Sequence, residues 1–484
     1  MKQIRKLISL LLLFAILLVS FSSCAPAAET PENSGTTEPP KKSTIKVETE
    51  VRRGWHLQGI PSYEGGRLSV NTYNAGPGMM TDVKGTTKED SVMQLAYYTN
   101  AEEFEAYLQK LKDYGFSEIM KTQIEGNVHA EYAADDTILY TYYTANDNMV
   151  RIIHDKSSTV SMADFSYTYQ PAQGERIEIY QYGLYTAGGS LTTVNCGMSY
   201  VVKLSDNSVV IVDGGHIYQA SDKATDGFMA FLHEITGVPE GEKITIAAYF
   251  VSHAHNDHMT FMAKVLHKYY HELDLQRVMF NFPSYQVKGG GYSIYYATWL
   301  KHIITTCYPN TIYKKLHTGE KINLADLQID VLFTHEDAVY SGNASVCNIG
   351  DFNSTSTILK LTMDGKTVML LGDTSGDAEN IVTKMYTANT FKSDIIQIAH
   401  HCFNYLTTLN AWIAPSIAFC PNSYGNANSP GDNLPKLQEV TEHTGKKNVY
   451  YSGSGTYGFA VVDGELTLIY EKELVGGVYD GSGV

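Results

Sequence analysis

The sequence predicts a layered α/β fold, in which two sheets form the centre and helices cover both outer faces, preceded by a small α+β domain. The chain has 484 residues, 43% of them hydrophobic, and single hydrophobic cores stop growing at about 250–300 residues. Two folded units are therefore expected, at residues 45–169 and 175–470, followed by a tail at residues 471–484. In the second unit apolar strands alternate with helices, which is typical of layered packing.

The first unit contains one clear helix among short strands. This helix is predicted to begin at Asn100, a favourable N-cap with Glu103 three residues later, and to end at Gly115. Four apolar side chains at helical spacing would face the core: Phe104, Tyr107, Leu108 and Leu111.

Strands of the first unit are predicted at Thr137–Thr144 and Met149–His154. His129 and His154 stand isolated, so each is interpreted as a surface or packed side chain rather than a ligand. The unit shows no catalytic pattern, and we expect it to contact the natural substrate or a surface. A fragment beginning near Gln173 should then bind metal and cleave small substrates, unless the first unit completes its core.

The second unit has strong strand signals. A hairpin is predicted to end at Asp213-Gly214-Gly215, and a helix after residue 258 would bury Phe261, Val265 and Tyr269 on one face. The predicted strands are Met198–Lys203, Ser208–Val212, Thr245–Val251, Val368–Leu371 and Ile395–Ala399.

The main chemical feature is a histidine cluster directly after an apolar strand, His253-Ala254-His255-Asn256-Asp257-His258. In an extended segment residues two apart point the same way, so His253 and His255 can hold one metal ion. The following turn would bring Asp257 and His258 towards a second ion. Imidazole and carboxylate ligands suit zinc or a similar first-row ion. The alternative is a solvated histidine-rich loop.

This cluster matches the H-x-H-x-D-H signature of the metallo-β-lactamase superfamily, and three other segments resemble family features in the same order. They are Val210–Gly215, a strand ending in an Asp-Gly turn; Met369–Asp373, a second signature strand; and Ile395–Ala399, a strand followed by His400-His401. The resemblance covers about residues 175–470. It implies an αββα metallo-β-lactamase sandwich.

The resemblance also implies a site for two divalent metal ions, zinc or else manganese. Asp373 would bridge the ions, and Asp257 would orient the attacking water as well as bind. The ligands would be His253, His255, Asp257, His258, Asp373 and His401.

Several residues near the signature segments have alternative roles. His400 and His401 are adjacent, so their side chains diverge if the strand continues. We assign His401 as the ligand and His400 as the catalytic group, although a turn would let both bind. Asp213 is the candidate to fix a histidine tautomer, the alternative being a turn-capping aspartate. Cys402 is interpreted as an inert small residue rather than a ligand.

Within the superfamily the pattern is most similar to the domain attached to DNA-uptake channels and to phosphorylcholine esterases. Those members have an asparagine where many others have a metal-binding histidine, and Asn353 fits that variant as a residue supporting the ligands. They usually continue with His-His-Gly-Ser and later with Asn-x-Tyr-Gly-His-Pro. This chain instead has Cys402-Phe403 and Asn426 at the variable positions. The rim does not match, so the substrate of those members cannot be transferred.

These observations predict a metal-dependent hydrolase that uses an activated water to cut a phosphoester, ester or amide bond. Phosphodiesters rank first because of the Asn353 variant. One alternative is a catalytically reduced, metal-containing binding module for cell-surface material. Another is a β-lactamase, which would need a histidine at position 353. Three further histidines lack the spacing of a second site and are interpreted as structural: His216, His335 and His443.

The chain begins with a basic head, an apolar run from Leu7 to Val19, and small residues before Cys24, which is typical of a secretion signal. The residues before Cys24 resemble a bacterial lipobox. Residues 1–23 are therefore predicted as a lipoprotein signal peptide, and Cys24 as the lipidated residue on the outer face of the membrane. Residues 24–44 are predicted as a disordered tether. The alternative is an ordinary secretion signal that leaves Cys24 as a free thiol.

The formal net charge of −16 disfavours binding to nucleic acid, because affinity for phosphate backbones comes largely from Lys and Arg. The expected partners are a small-molecule or cell-envelope substrate, and the membrane through the lipid anchor. Beyond Cys24 the cysteines are odd in number and lack paired spacing, which argues against a disulfide framework. They are Cys196, Cys307, Cys347, Cys402 and Cys420.

Overall fold

The structure, a computed structural model, describes residues 45–74, 91–135, 137–156, 176–184, 198–283, 291–338 and 352–474. The predicted signal peptide, the tether, Cys24, Cys196 and Cys347 lie outside these residues, as does the tail beyond residue 474. Within the described ranges, no helix combines the length and the apolar character needed to cross a membrane.

The first unit is an antiparallel sheet of seven strands in the order β1-β3-β7-β6-β5-β4, with β2 paired to β3. Helix α1, Ala101–Asp113, packs against this sheet. The strands are β1 Arg67–Leu68, β2 Tyr73–Asn74, β3 Ser91–Tyr97, β4 Ser117–Ile124, β5 Asn127–Ala134, β6 Thr137–Thr144 and β7 Met149–Lys156.

Helix α1 forms as the sequence predicts. The side chain of Asn100 accepts a hydrogen bond of 2.9 Å from the backbone N–H of Glu103, which satisfies one of the free donors at the helix start. The four predicted side chains are buried: Phe104, Tyr107, Leu108 and Leu111.

The second unit contains two sheets. The nine-stranded sheet has the order β14-β13-β11-β10-β9-β8-β22-β23, with β12 on β11, and the seven-stranded sheet runs from β15 through β21 in chain order. The strands of the first are β8 Glu178–Gln181, β9 Tyr200–Lys203, β10 Val209–Val212, β11 Ile244–Phe250, β12 Leu273–Leu275, β13 Arg277–Phe280, β14 Ile312–Lys315, β22 Gly455–Val462 and β23 Glu465–Glu473. Those of the second are β15 Lys321–Leu324, β16 Leu327–Phe333, β17 Ile358–Met363, β18 Lys366–Leu370, β19 Ile395–Gln397, β20 Ile417–Cys420 and β21 Val449–Tyr451.

Alternation along the strands assigns each side chain to one of two cores. In β10, Val210 and Val212 pack against the other sheet, whereas Val209 and Ile211 pack against helices. The described helices of this unit are α2 Asp222–Thr236, α3 Thr260–Lys268, α4 Gly291–Cys307, α5 Gly376–Met385, α6 Ala388–Phe391, α7 Thr407–Ile413, α8 Tyr424–Ala427 and α9 Leu434–Thr444.

Helices cover both outer faces of the paired sheets. Phe228 of α2 and Phe261 of α3 belong to the core outside the nine-stranded sheet. Val382 of α5, Leu409 of α7 and Leu437 of α9 belong to the core outside the seven-stranded sheet. The unit is therefore an αββα sandwich, and this part of the prediction is confirmed.

Parallel pairing brings the carboxyl ends of several strands to a shared edge. Strands β10, β11, β13 and β14 are parallel in one sheet, and β18, β19, β20 and β21 are parallel in the other. The histidine cluster follows β11, Asp373 follows β18, and His400-His401 follows β19. The order of the strands therefore collects residues that are far apart in sequence.

The small domain packs on the sandwich through a buried, charged seam, formed by β5–β7 against residues 314–320 and 334–338. Nζ of Lys315 lies 2.9 Å from Oδ1 of Asp155 in β7, and Nε2 of His317 lies 3.2 Å from Oδ2 of the same carboxylate. Glu336 lies behind them, 2.9 Å from Nδ1 of His317. All four side chains are at most 3% exposed.

The seam is also closely packed. Gly319 has a φ of +92°, and a Cβ there would lie 2.0 Å from the ring of His129. His129 is a packed side chain, as predicted, and stacks on Tyr142 with ring centres 5.2 Å apart. The ring of Tyr140 stacks on His317 at 4.1 Å.

This seam changes the expectation for a fragment that begins near Gln173. Such a fragment would leave Lys315, His317 and Glu336 without Asp155, and removing one partner of a buried ion pair is strongly destabilising. We therefore expect the isolated sandwich to be unstable, and not the independent catalytic unit that the sequence suggested.

The variant His317→Gln should reduce the alkaline part of the pH dependence of stability. Burial opposes the charge on His317, but Glu336 and Asp155 outweigh it and raise its pKa to about 9. The unfolded value is about 6.5. The charged histidine thus stabilises the fold fully below about pH 6.5, and this contribution is lost as the pH rises through about 9. Urea unfolding across this range should show a shallower decline for the variant than for the wild type.

The variant His443→Gln is the control, because His443 is exposed on α9.

On the acid side, burial favours the neutral form of Glu336, but His317 and Lys315 outweigh burial and lower the pKa of Glu336 to about 2. This contribution is complete above an unfolded pKa of about 4.3 and is lost as the pH falls towards 2. Parallel stability curves for wild type and His317→Gln above about pH 6.5 would contradict the assignment.

Candidate metal centre

The turn that carries the histidine cluster is set by close packing beneath it. Strand β11 ends at Phe250, residues 256–258 form a single 3₁₀ turn, and α3 begins at Thr260. The carbonyl of Gly214 accepts a 2.8 Å hydrogen bond from the N–H of Met262. A Cβ on Gly214 would lie only 2.2 Å from Cβ of Met262, so glycine is needed for the helix to start where it does.

Two groups of side chains at this edge have the geometry of metal ligands. One contains Asp257, His258, Asp373 and His401, and the other contains His253, His255 and Asp373. In each group one candidate ligand atom per residue lies within 4.8 Å of all the others. The structure therefore brings together all six residues that the resemblance named as ligands.

Asp373 is common to both groups. Its Oδ2 lies 3.2 Å from Nε2 of His258, 3.6 Å from Nε2 of His401 and 3.8 Å from Nε2 of His253. Nε2 of His253 lies 2.9 Å from Nδ1 of His255, so this pair converges on one point, as the extended spacing predicts. Asp373 lies between two candidate metal positions.

The charges of the group are strongly coupled. Burial opposes a charge on His258, but Asp373 and Asp213 outweigh it and raise its pKa to about 10. The same balance, with Asp373 and Asp257, holds the pKa of His401 well above its usual value. Burial and the neighbouring His258 lower the pKa of His253 well below its usual value. Metal binding would therefore compete with protons for His258 and His401.

The buried atoms of this site fit a metal ion. Among the described residues, Nε2 of His258, Nε2 of His401 and Oδ1 of Asp373 are buried without a hydrogen-bond partner. Buried polar atoms are normally satisfied, and imidazole nitrogen with carboxylate oxygen is the donor set that zinc prefers. Divalent ions would satisfy these atoms.

Asp213 and Ser252 fix the orientation of His258. Oδ1 of Asp213 accepts the backbone N–H of Ser252, and Oδ2 accepts the Ser252 hydroxyl, both at 2.8 Å. Oδ2 of Asp213 also lies 2.8 Å from Nδ1 of His258, so that nitrogen donates and Nε2 is left for a metal. The role of Asp213 was predicted from the sequence, but that of Ser252 was not. The only sign of Ser252 in the sequence is its position directly before His253.

The segment after β19 turns sharply. The strand ends at Gln397, two residues before the predicted end, and residues 399–402 form a tight turn. His400 and His401 have φ values of +49° and +51°. The structure therefore has the turn that the sequence left open and not the continued strand, and the turn brings Nε2 of both rings within 3.8 Å of Oδ2 of Asp373.

The two adjacent histidines have different surroundings. Nδ1 of His401 lies 3.2 Å from the carbonyl of Pro421, and its Nε2 lies 3.4 Å from Oδ2 of Asp257. His400 lies outside both ligand groups, and its side chain is 26% exposed. Its Nε2 lies 3.2 Å from Nδ2 of Asn353, which is itself buried. Asn353 therefore contacts the predicted catalytic histidine.

Gln397 is a supporting residue that the sequence analysis missed. Its Oε1 accepts the backbone N–H groups of Leu371 and Gly372, both at 2.7 Å, and its Nε2 donates to the carbonyl of Gly372 at 2.9 Å. These bonds join the end of β19 to the segment that carries Asp373. A glutamine on a buried strand gives no sequence signal for this role.

Other candidates lie away from the ligand groups. Cys402 is buried, with Sγ 3.9 Å from the carbonyl of Asn433, and among the described residues it is not part of a ligand group. His216 lies 2.9 Å from Nδ2 of Asn256 at the side of the histidine turn. Nε2 of His335 lies 2.8 Å from Oδ1 of Asn281.

The variant Asp373→Ala should release one or both ions, because both ligand groups lose their shared carboxylate. The wild type is expected to hold about two zinc ions per chain, and the variant at most one. Elemental analysis after gel filtration of remetallated protein measures the difference. The control is Asp377→Ala, an exposed residue of α5. Equal zinc content in wild type and Asp373→Ala would show that Asp373 is not a ligand.

No protein-family model matches the chain, and no curated protein matches it. Among solved structures it is similar to the metallo-β-lactamase fold protein YhfI from Bacillus subtilis, with 12% identity and a TM-score of 0.34 over 58% of this chain and 99% of that chain. Zn²⁺-bound PqqB from Methylobacterium extorquens has 10% identity and a TM-score of 0.34, with the same coverage. Unliganded yeast PDE1 has 12% identity and a TM-score of 0.33 over 57% of this chain and 96% of that chain.

Proposed function

We propose that the protein is a metal-dependent hydrolase of the metallo-β-lactamase superfamily that cleaves a phosphodiester or another ester. The observation that carries this proposal is the position of Asp373 between two groups of candidate ligands. A pair of ions in such a site lowers the pKa of a bound water and neutralises charge on both the attacked group and the departing oxygen.

Asp257 is placed to bind metal and to orient the attacking water. Its side chain is 15% exposed, and Oδ2 lies 3.4 Å from Nε2 of His401. Burial raises the pKa of Asp257, but the neighbouring His401 and His258 have the larger effect and hold this pKa below its usual value. Asp257 is therefore ionised, and its carboxylate can accept a hydrogen bond from the attacking water.

His400 is placed to exchange a proton with the reacting group. Nδ2 of Asn404 donates to the carbonyl of Thr374 at 2.9 Å, so Oδ1 of Asn404 faces Nδ1 of His400, also at 2.9 Å. Nδ1 of His400 must then carry the proton. Its Nε2 is left as an acceptor, held by the amide of Asn353. When the hydrogen bond from Asn353 opens, this nitrogen can take a proton from the attacking water and return it to the departing oxygen. The side chain of His400 is 26% exposed.

Phosphodiesters rank first for two reasons. In the sequence, Asn353 stands at the position where a β-lactamase would need a histidine. Two cations beside a carboxylate also suit an anionic ester whose charge increases during reaction. The overall charge of −16 does not oppose a small anionic substrate that binds metal directly.

A chromogenic panel tests the proposal. Protein loaded with zinc or manganese should hydrolyse bis(p-nitrophenyl) phosphate or p-nitrophenyl acetate, and His253→Ala and Asp257→Asn should each lower kcat at least about 100-fold because they remove ligands. His443→Gln serves as the control. Metal retained at about two ions per chain without hydrolysis of any ester would favour the binding module instead.

We also propose that the protein acts at the outer face of the bacterial membrane, attached through Cys24, on a small-molecule or cell-envelope substrate. The basic start, the apolar run and the small residues before Cys24 support this. The variant Cys24→Ser should move the protein from the membrane fraction to the medium, or stall its processing. Wild-type protein found in the medium without acyl chains would contradict the anchor.

A further inference from the structure

We infer that the small domain holds His400, the proposed catalytic residue beside the metal centre, in position. Asp155 is the positioning residue. The inference rests on the proposed function of His400. It assigns a role to the buried polar chain that runs from the small domain into the sandwich, consisting of Asp155, Lys315, His317, Glu336 and Asn281.

The buried polar chain begins at the end of β7. Asp155 is completely buried, and its two oxygens lie 2.9 Å from Nζ of Lys315 and 3.2 Å from Nε2 of His317. The hydroxyl of Ser91, in β3, accepts a further 2.8 Å hydrogen bond from Lys315. One carboxylate of the small domain therefore pairs with two cationic side chains of the sandwich, and Glu336 supplies the second negative charge.

The chain then reaches the edge that carries the metal centre. Nδ1 of His317 lies 2.9 Å from Oε2 of Glu336, and Oε1 of Glu336 accepts a 2.9 Å hydrogen bond from Nδ2 of Asn281. Asn281 directly follows β13, which pairs with the strand that leads to the histidine cluster. Nε2 of His335 lies 2.8 Å from Oδ1 of Asn281. The turn His335–Ala338 is therefore held by side chains from both units.

A second link from the small domain holds the same turn. The hydroxyl of Tyr142 donates to Oδ1 of Asp337 at 2.7 Å. The other oxygen of Asp337 accepts from the Thr318 hydroxyl and from the backbone N–H of Thr334. Asp337 is fully buried, so its three donors leave it little freedom to move.

The turn His335–Ala338 connects the small domain to the metal centre, because it packs against the turn Phe352–Thr355. The ring of Phe352 lies 6.0 Å from that of His255, and the amide of Asn353 donates to Nε2 of His400. Because the contacts are buried and closely packed, a shift of the first turn displaces the second. A displacement of Asn353 would misplace His400.

The variant Asp155→Asn tests the inference, because it keeps the shape but removes the charge that Lys315 and His317 share. We expect zinc content to stay at about two ions per chain, kcat towards bis(p-nitrophenyl) phosphate to fall about tenfold, and KM to change less than about twofold. Hydrogen exchange of Phe352–Thr355 should become faster. If Asp155→Asn fails to fold, Tyr142→Phe removes only the hydroxyl of the second link to the turn His335–Ala338 and should show the same pattern, with a smaller effect.

The matched control is Glu125→Gln, which weakens a different contact between the small domain and the sandwich. Glu125 accepts hydrogen bonds from Thr387 and Thr390, and it is more exposed. It touches neither turn described above. This variant should lower stability without changing kcat or the exchange of Phe352–Thr355. Equal loss of kcat in Glu125→Gln and Asp155→Asn would reduce Asp155 to a general structural role and overturn the inference.

A double-mutant cycle separates positioning from stability. If Asp155 acts through Asn353, the tenfold effect of Asp155→Asn on kcat should largely vanish in an Asn353→Ala background. Additive effects would overturn the inference. Hydrogen exchange can be measured without turnover. If the protein has no hydrolytic activity, the proposed function is refuted, but the exchange rates of Phe352–Thr355 still test this inference. Unchanged exchange of Phe352–Thr355 in Asp155→Asn would refute the inference whatever the activity.

Discussion

The architecture depends on one buried carboxylate, that of Asp373, around which three buried histidines converge. Its Oδ2 lies within 3.8 Å of Nε2 of His253, His258 and His401. Charges removed from water are tolerated only when they are paired and hydrogen-bonded. Divalent cations would meet this requirement, because they balance the carboxylates and use the nitrogen lone pairs that otherwise lack partners. The hydrolytic chemistry proposed above would use the same ions.

The rest of the sandwich keeps these groups in place. Asp213 and Ser252 orient His258 from below, and Gln397 joins the end of β19 to the segment of Asp373. Each of these contacts links the ends of different strands. The small domain contacts the sandwich through the buried ion pair between Asp155 and Lys315, and we propose that this contact supports the same edge. The roles of the two units in recognition and catalysis would then not be separable.

Local features of the fold were predictable from the sequence, and long-range contacts were not. The ligand cluster could be predicted because four of its members lie within six consecutive residues, after a strand that is apolar throughout. Helix α1 could be predicted from Asn100, whose cap is a local contact. By contrast, Ser252 and Asp213 are 39 residues apart, and Lys315 and Asp155 are 160 apart. The choice between a turn and a continued strand at His400 stayed open, because its positive φ values occur without the glycine that usually signals them.

Anomalous diffraction at the zinc edge from crystals of zinc-loaded protein would show most directly whether Asp373 holds a pair of metal ions. We expect two anomalous peaks about 3.5–4 Å apart, both in contact with Asp373. Histidine nitrogens should lie about 2.0–2.1 Å from each peak. A single peak that does not contact Asp373, or no peak at this edge of the sheets, would show that Asp373 does not join two metal positions.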